Sequence, residues 1–299
     1  MSDYHIPVLL HESIDKLVIN PNGVYVDVTF GGGGHSQEIL NRLSANGRLM
    51  VFDQDGEASQ NSIEDERLIF IPANFRFLYR YWKWSGLDKV DGILADLGVS
   101  SHQFDVDYRG FSYRYPSELD MRMNHHSSLT AQDILAHYSH EQLTHIFSKY
   151  GEVRNSKKLA RVIIEHREGR EITSTTQLNE VLQGAMVGEK NKYMAQVYQA
   201  LRIEVNKEIL CLEVLLLDSL RVMKMTARFV VISYHSLEDR LVKRFFKSGR
   251  LDGQIPKDDY GHSQSPMKQI GKLILPSVEE QEKNPRSKSA KMRVGEKIK

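Results

Sequence analysis

The 299-residue sequence contains one cysteine and two tryptophans, and it has no long apolar run. A single cysteine, Cys211, excludes an internal disulfide and any metal site built from several cysteines, so we expect a reducing compartment. No stretch approaches the ~18 apolar residues of a membrane-spanning helix, and residues 1–5 lack the basic and apolar regions of a secretory signal. These absences predict a soluble, cytoplasmic protein that binds no membrane.

A strong net charge is also missing, because 40 basic residues oppose 39 acidic ones. The distribution is uneven, however: residues 240–250 contain five basic residues and no acidic one. Lys243, Arg244 and Lys247 in this stretch are predicted contacts for an RNA backbone, since local basic patches bind phosphates even in a neutral protein. An ordinary solvated helix face explains the same charges equally well.

The most informative stretch is a glycine turn between a strand and a helix. A β-branched and aromatic run, residues 24–30, ends in Gly31–Gly34, and an apolar-periodic segment follows from Ser36. Glycines allow the backbone to approach a ligand closely, and the exposed N–H groups of a helix start favour electron-rich groups. The pattern therefore predicts a nucleotide-binding turn in an α/β protein, although a turn without a ligand is the simpler alternative.

An acidic residue at the end of the next strand sharpens this prediction. Asp53 follows residues 48–52 and lies about 20 residues beyond the turn, where a carboxylate can bind both ribose hydroxyls. A dinucleotide fingerprint would need a third glycine at the position of Ser36, so an NAD-dependent oxidoreductase is disfavoured. Asp27, four residues before Gly31, instead fits the glycine turn of class I methyltransferases.

Polar and aromatic residues follow three further predicted strands. Phe75, after residues 68–71, is a candidate to stack on adenine, with core packing as its alternative. Asp96 ends the fourth strand and should lie in the crevice at the carboxyl ends of the parallel strands. His235 and Glu238 follow the apolar strand 229–233 and are candidate catalytic residues, whereas a capping or packing role explains His235 equally well.

Between the fourth and fifth strands, helical patterns replace the strand–helix alternation. Capping boxes begin at Ser139 and Ser174, and a long helical pattern runs from about Met194 to Val222. We therefore predict an α/β protein with a Rossmann-like, class I methyltransferase sheet and an inserted all-helical lobe. The methyltransferase domain is assigned to residues 1–104 and 216–299, and the substrate-recognition lobe to residues 105–215.

Six motifs occur in order along the chain. They are residues 27–36 (DVTFGGGGHS), 91–101 (DGILADLGVSS), 109–112 (RGFS), 119–123 (LDMRM), 199–206 (QALRIEVN) and 235–240 (HSLEDR). Together they closely resemble the MraW family, the family of ribosomal RNA small subunit methyltransferase H, over nearly the whole chain. The sequence departs from the family pattern at His102, at Asn124 and within residues 192–198, on the substrate-facing side.

The resemblance implies transfer of a methyl group from S-adenosyl-L-methionine to N4 of a cytidine in the decoding region of 16S ribosomal RNA. The family's cofactor contacts, carried onto matching positions, are Gly33, Gly34, His35, Asp53, Phe75, Asp96 and Gln103. His35 and Gln103 rest on the resemblance alone. The implied partner is 16S rRNA or the small ribosomal subunit, no metal is required, and a homodimer is left open.

Because the target base must leave its stack to react, aromatic and arginine side chains are its natural partners. The candidates are Arg109, Phe111, Tyr113 and Arg114, which lead into the lobe. Simple packing between the lobes is the alternative for Phe111, Tyr113 and Arg114. A non-catalytic RNA-binding ribosome assembly factor with a vestigial cofactor pocket is the competing function.

Overall fold

A computed structural model describes residues 7–61, 63–99 and 109–299. Its strands are β1 (Val24–Asp27), β2 (Arg48–Phe52), β3 (Leu68–Ile71), β4 (Val90–Asp96), β5 (Met223–Ser233), β6 (Met267–Ile274) and β7 (Lys291–Lys297). Its helices are α1 (Leu10–Leu17), α2 (Gly34–Arg42), α3 (Leu78–Ser85), α4 (Ala131–His137), α5 (His140–Lys149), α6 (Ser156–Arg167), α7 (Thr175–Gln183), α8 (Lys190–Asn206), α9 (Glu208–Val222), α10 (Ser236–Ser248) and α11 (Val278–Lys283). Short 3₁₀ turns span Gly56–Asn61, Phe75–Phe77 and Pro285–Ser289.

The chain forms two compact units. The first comprises the chain up to Gly98 together with Ile209–Lys299, and the second comprises Val99–Glu208. The sequence placed these boundaries at residues 104 and 215. The later boundary differs because the long helical pattern is two helices: Lys207 adopts a left-handed conformation (φ 52°) between α8 and α9, and α9 beyond Glu208 belongs to the first unit.

The first unit is built on a mixed sheet in the order β3-β2-β1-β4-β5-β7-β6. Strands β1 to β5 pair in parallel, whereas β7 lies antiparallel to both β5 and β6. Successive side chains of a strand point to opposite faces, so Val24 and Val26 join one buried cluster while Tyr25 joins the other. The predicted α/β class is confirmed.

Each sheet face carries its own helices. Side chains of α3, α9 and α10, such as Leu78, Leu215 and Phe245, fill the cluster on one face. Ile14 of α1 and Ile39 of α2 belong to the cluster on the other face. This double covering leaves the ends of the strands as the places where polar side chains can gather.

The second unit contains α4 to α8 around a separate apolar core. Capping boxes at Thr130, Ser139 and Ser174 begin α4, α5 and α7, and the last two were predicted from the sequence. The Asn206 side chain donates to the carbonyl of Met121 (2.8 Å) and accepts from the N–H of Met123 (2.8 Å). These bonds attach the irregular segment before α4 to the end of α8.

Candidate active site

The glycine turn between β1 and α2 surrounds a buried carboxylate. Asp27 is fully buried, and its oxygens accept hydrogen bonds from Ser36 Oγ (2.6 Å) and the N–H of Thr29 (3.0 Å). Burial is the main reason why the pKa of Asp27 is raised. The absence of glycine at position 36 counted against a dinucleotide fingerprint. The structure gives Ser36 a role of its own, because its hydroxyl holds Asp27 at the end of β1.

The glycines of the turn serve different purposes. Gly33 has φ 77°, a conformation that side chains rarely adopt, and a Cβ on Gly34 would lie 2.3 Å from Pro7 Cγ. A Cβ on Gly32 would meet no described atom within 4 Å. Gly33 and Gly34 are thus required by backbone conformation and packing, whereas no described residue requires a glycine at position 32.

Asp53 lies directly beside this turn. Its Oδ2 accepts the N–H of Gly31 (2.8 Å) and its Oδ1 accepts the N–H of Asp55 (2.8 Å). Burial raises the pKa of Asp53 to about 6, and the charges of Asp55 and Asp27 add to the rise. A carboxylate has about four lone-pair sites. Two of them are used by the backbone, so Asp53 can still accept two hydroxyl groups.

Asp96, at the end of β4, is held by three neighbours. Tyr234 donates its hydroxyl to Asp96 Oδ1 (2.8 Å), the backbone N–H of Asp96 donates to Thr29 Oγ1 (2.7 Å), and His35 Nδ1 lies 3.9 Å from Asp96 Oδ2. Burial raises the pKa of Asp96 to about 6, while His35 and Tyr234 limit the rise. The sequence did not identify Tyr234, although its place between strand and helix, beside His235, was a usable signal.

The remaining predicted cofactor contacts are placed as follows. His35, in the first turn of α2, is buried, and its Nε2 donates to the carbonyl of Val8 (3.2 Å). Phe75, in the turn after β3, is half-buried and packs partly against the core. Gln103 lies outside the described residues. The structure thus brings the glycine turn, Asp53, His35 and Asp96 together at the carboxyl ends of the parallel strands.

His235 and Glu238 form the cap of α10. His235 Nδ1 accepts the N–H of Glu238 (3.4 Å), and the Glu238 carboxylate accepts the N–H groups of Tyr234 (3.0 Å) and His235 (3.4 Å). His235 Nε2 also lies 3.2 Å from Glu238 Oε1. These contacts give both residues the capping role that the sequence left open for His235, and their catalytic role stays a prediction.

Two of the predicted RNA contacts of the second unit are interior residues. Arg109 is 1% exposed, and its guanidinium donates to the carbonyls of Arg122 (2.7 Å) and Met123 (3.0 Å). Phe111 is 6% exposed and packs in the core of this unit. The structure corrects their assignment to the RNA surface. A buried guanidinium that donates to two backbone carbonyls stabilises the loop that contains those carbonyls.

The other two lie nearer to solvent. Tyr113 is half-buried against Tyr198, with ring centroids 5.7 Å apart. Arg114 is exposed, and its guanidinium carbon lies 5.9 Å from the Tyr113 ring. This pair remains available to a ligand.

The basic residues of α10 are exposed and border a cleft. Lys243 and Lys247 line a cleft of about 310 Å³ together with Lys268 of β6. Among the described residues, no carboxylate lies within 4 Å of Lys243, Arg244 or Lys247. Unpaired cations around a concave surface are suited to bind phosphate groups.

The parallel sheet with its antiparallel β7, together with the glycine turn and two acids at one edge, defines a class of protein: the first unit is a class I, Rossmann-like methyltransferase domain. The chain belongs to the MraW methylase family, whose model matches residues 2–298. The recognition from six motifs is thereby confirmed. Among the described residues, no helix is long and apolar enough to cross a membrane.

Several curated relatives match the chain from end to end. Ribosomal RNA small subunit methyltransferase H of Flavobacterium johnsoniae is 53% identical and covers 99% of this chain and 98% of its own. The proteins of that name from Cytophaga hutchinsonii and Parabacteroides distasonis are 51% and 50% identical; they cover 98% and 99% of this chain, and 99% and 98% of their own.

Proposed function

We propose that this protein transfers a methyl group from S-adenosyl-L-methionine to N4 of a cytidine in the decoding region of 16S ribosomal RNA, in the cytoplasm. The observation that carries the proposal is the meeting of the glycine turn, Asp53 and Asp96 at one sheet edge, in a member of a methylase family. The shared name of the curated relatives supports ribosomal RNA of the small subunit as the substrate.

The residues at the carboxyl ends of the parallel strands fit the cofactor by charge and hydrogen-bonding capacity. Three carboxyl groups, Asp27, Asp53 and Asp96, gather at the ends of β1, β2 and β4, and burial raises the pKa of each. A positive charge nearby would therefore stabilise their ionised forms. Asp53 would hold the ribose hydroxyls, and Phe75 the adenine. When bound, the sulfonium supplies the electrophilic methyl group.

The protein's task is then positioning and proton transfer. Cytosine N4 is a weak nucleophile because its lone pair is delocalised into the ring. The protein must therefore hold N4 in line with the methyl group while N4 loses a proton. Asp96 has a pKa of about 6 and is mostly ionised at pH 7. The Tyr234 hydroxyl orients this carboxylate, so Asp96 can accept the proton that N4 releases.

RNA recognition is assigned to exposed groups in each unit. In the second unit, Tyr113 and Arg114 offer an aromatic ring and a cation to the extruded base. In the first unit, Lys243, Arg244 and Lys247 offer charges to the phosphate backbone. A base must be unstacked while its neighbours are held, so both kinds of contact are needed.

The proposal is tested by incubating the protein with labelled S-adenosyl-L-methionine and small-subunit particles from cells that lack the enzyme. We expect label on N4 of a single cytidine in the decoding region, identified by nuclease digestion and mass spectrometry. Particles from cells that contain the enzyme, already methylated, serve as the control. Tight cofactor and RNA binding without any transfer would establish the non-catalytic assembly factor instead.

A further inference from the structure

The outer face of α3 combines exposed cations with an exposed aromatic ring. Arg80, Lys83 and Trp84 stand at positions i, i+3 and i+4, which are neighbours on one helix face. Arg76 lies one turn earlier, in the 3₁₀ segment after β3. All four side chains are exposed, and Trp84 reaches 73%. The outer face of α3 is therefore a basic strip that ends in a tryptophan.

The tryptophan is exposed but held in position. Its ring meets Tyr81 edge-on, with centroids 6.5 Å apart, and Tyr81 in turn packs edge-on against Phe52 of β2 at 6.0 Å. Trp82, by contrast, is half-buried and donates its indole N–H to the carbonyl of Asp88 (3.0 Å). A single exposed aromatic residue is ordinary on a protein surface. A supported ring beside several cations is a stacking platform.

The cations of this face have no acidic partners in the part of the chain that the structure describes. Among the described residues, no carboxylate lies within 4 Å of Arg76, Arg80 or Lys83. Arg76 lies over the ring of its neighbour Phe77 at 4.6 Å. Elsewhere in the first unit, Arg42, Arg67 and Arg293 are each paired with carboxylates. The outer face of α3 therefore offers positive charge to an external anion.

The helix also has a suitable place in the fold. It begins just after β3 ends, near the carboxyl ends of the parallel strands, where Asp53 lies. From there it runs back along the sheet. Of these four residues, Arg76 thus lies nearest the carboxyl ends of the strands, where the cofactor is proposed to bind, and Trp84 lies farthest from them. Aromatic side chains with neighbouring cations bind single-stranded nucleic acid, because every base has a face to stack and every nucleotide a phosphate.

We propose that the outer face of α3, formed by Arg76, Arg80, Lys83 and Trp84, binds an unpaired stretch of the substrate RNA by base stacking and phosphate contacts. This inference rests on the proposed function, because it assumes that an RNA is the substrate. It adds a surface outside the lobe and the α10 cleft.

Binding of a labelled single-stranded RNA oligonucleotide to the full chain, measured by fluorescence anisotropy, tests this surface. We expect Trp84→Ala to weaken binding about 5- to 160-fold, the range for losing one stacked base. Arg80→Ala with Lys83→Ala should lower the salt slope by about 1.4. The matched controls are Tyr260→Ala, which removes another exposed aromatic ring (87% exposed), and Lys16→Ala with Lys257→Ala; these should leave affinity and slope unchanged.

Fluorescence gives a direct second reading. The chain has two tryptophans, so Trp82→Phe leaves Trp84 as the sole indole, and its emission should be quenched when RNA stacks on it. Unchanged emission together with unchanged affinity of the Trp84→Ala variant would overturn the inference. So would Trp84-dependent sedimentation with phosphatidylglycerol vesicles at unaltered RNA affinity, which would make the face a lipid-binding surface. Methylation of small-subunit particles by the wild-type chain, measured in parallel, shows separately whether the proposed function holds.

Discussion

The carboxyl ends of the parallel strands and the outer surfaces of α3 and α10 carry opposite charges in opposite environments. At the strand ends, Asp53 and Asp96 are held by hydrogen bonds, and burial raises their pKa values to about 6. On the two helices, cations such as Lys83 and Lys247 are exposed and lack acidic partners among the described residues. The first region should respond to pH and the second to salt, so cofactor and RNA binding can be separated by experiment.

The largest effect should come from removing the second unit. Its helices have their own apolar core, and the first unit has two clusters of its own. Replacing Val99–Glu208 by a short flexible linker should therefore leave a folded domain that binds S-adenosyl-L-methionine, measured by calorimetry, but does not methylate small-subunit particles. Near-full activity of this soluble truncation would refute the substrate-recognition role of the lobe.

At the strand ends, Asp96→Asn should lower the single-turnover methylation rate about 100-fold or more, since positioned proton acceptors contribute that much. Tyr234→Phe should have a smaller effect. Because the Tyr234 hydroxyl stabilises the ionised carboxylate, its loss raises the pKa of Asp96 further. The acid limb of the pH–rate profile should then move to higher pH. A profile that does not move in this variant would argue against proton transfer to Asp96.

The ribose role of Asp53 predicts a loss of cofactor affinity. Asp53→Ala should weaken binding by about 1.5 to 3 kcal/mol, the range for a hydrogen bond to a charged group. Because the ionised form accepts hydroxyl groups and its pKa is about 6, wild-type affinity should increase as the pH rises from 5 to 7.5. Calorimetry across this range should show a weaker increase for Asp53→Ala, and equal affinities would exclude the ribose role.

For the cations of α10, the sensitive variable is salt. Replacing Lys243, Arg244 and Lys247 by alanine should weaken RNA binding and reduce the salt slope by about 2, as expected for three lost contacts to single-stranded RNA. Cofactor affinity should not change. The double change of Lys16 and Lys257 is again a suitable control, and an unaltered slope would mean that the α10 surface is only solvated.

The smallest effect concerns the cap of α10. Asparagine is a favoured N-cap residue, so His235→Asn should keep stability within about 0.5 kcal/mol, whereas His235→Ala should cost about 1 kcal/mol. If His235 only caps the helix, His235→Asn should also keep methylation within a few-fold. A large loss of rate at unchanged melting temperature would instead establish a catalytic role.

Local patterns in the sequence were enough to predict five parallel strands, the glycine turn and the caps at Ser139 and Ser174, because each depends on neighbours within a few residues. The partnership of Tyr234 with Asp96 joins residues 138 positions apart and depends on β4 and β5 being adjacent. The burial of Arg109 was missed for the same reason: an arginine in a polar loop looks exposed until its carbonyl partners are known.

The position of β7 has a consequence for the order of folding. This strand is the last of the seven in sequence, yet it lies between β5 and β6. Lys297 donates to the carbonyls of Leu220 in α9 (2.6 Å) and of Met223, the first residue of β5 (3.0 Å). During synthesis, the apolar side of β5 that pairs with β7 therefore stays unpaired until residues 291–297 have left the ribosome. Such an edge invites pairing with other chains, so growing chains that stall before this point are the ones most exposed to aggregation.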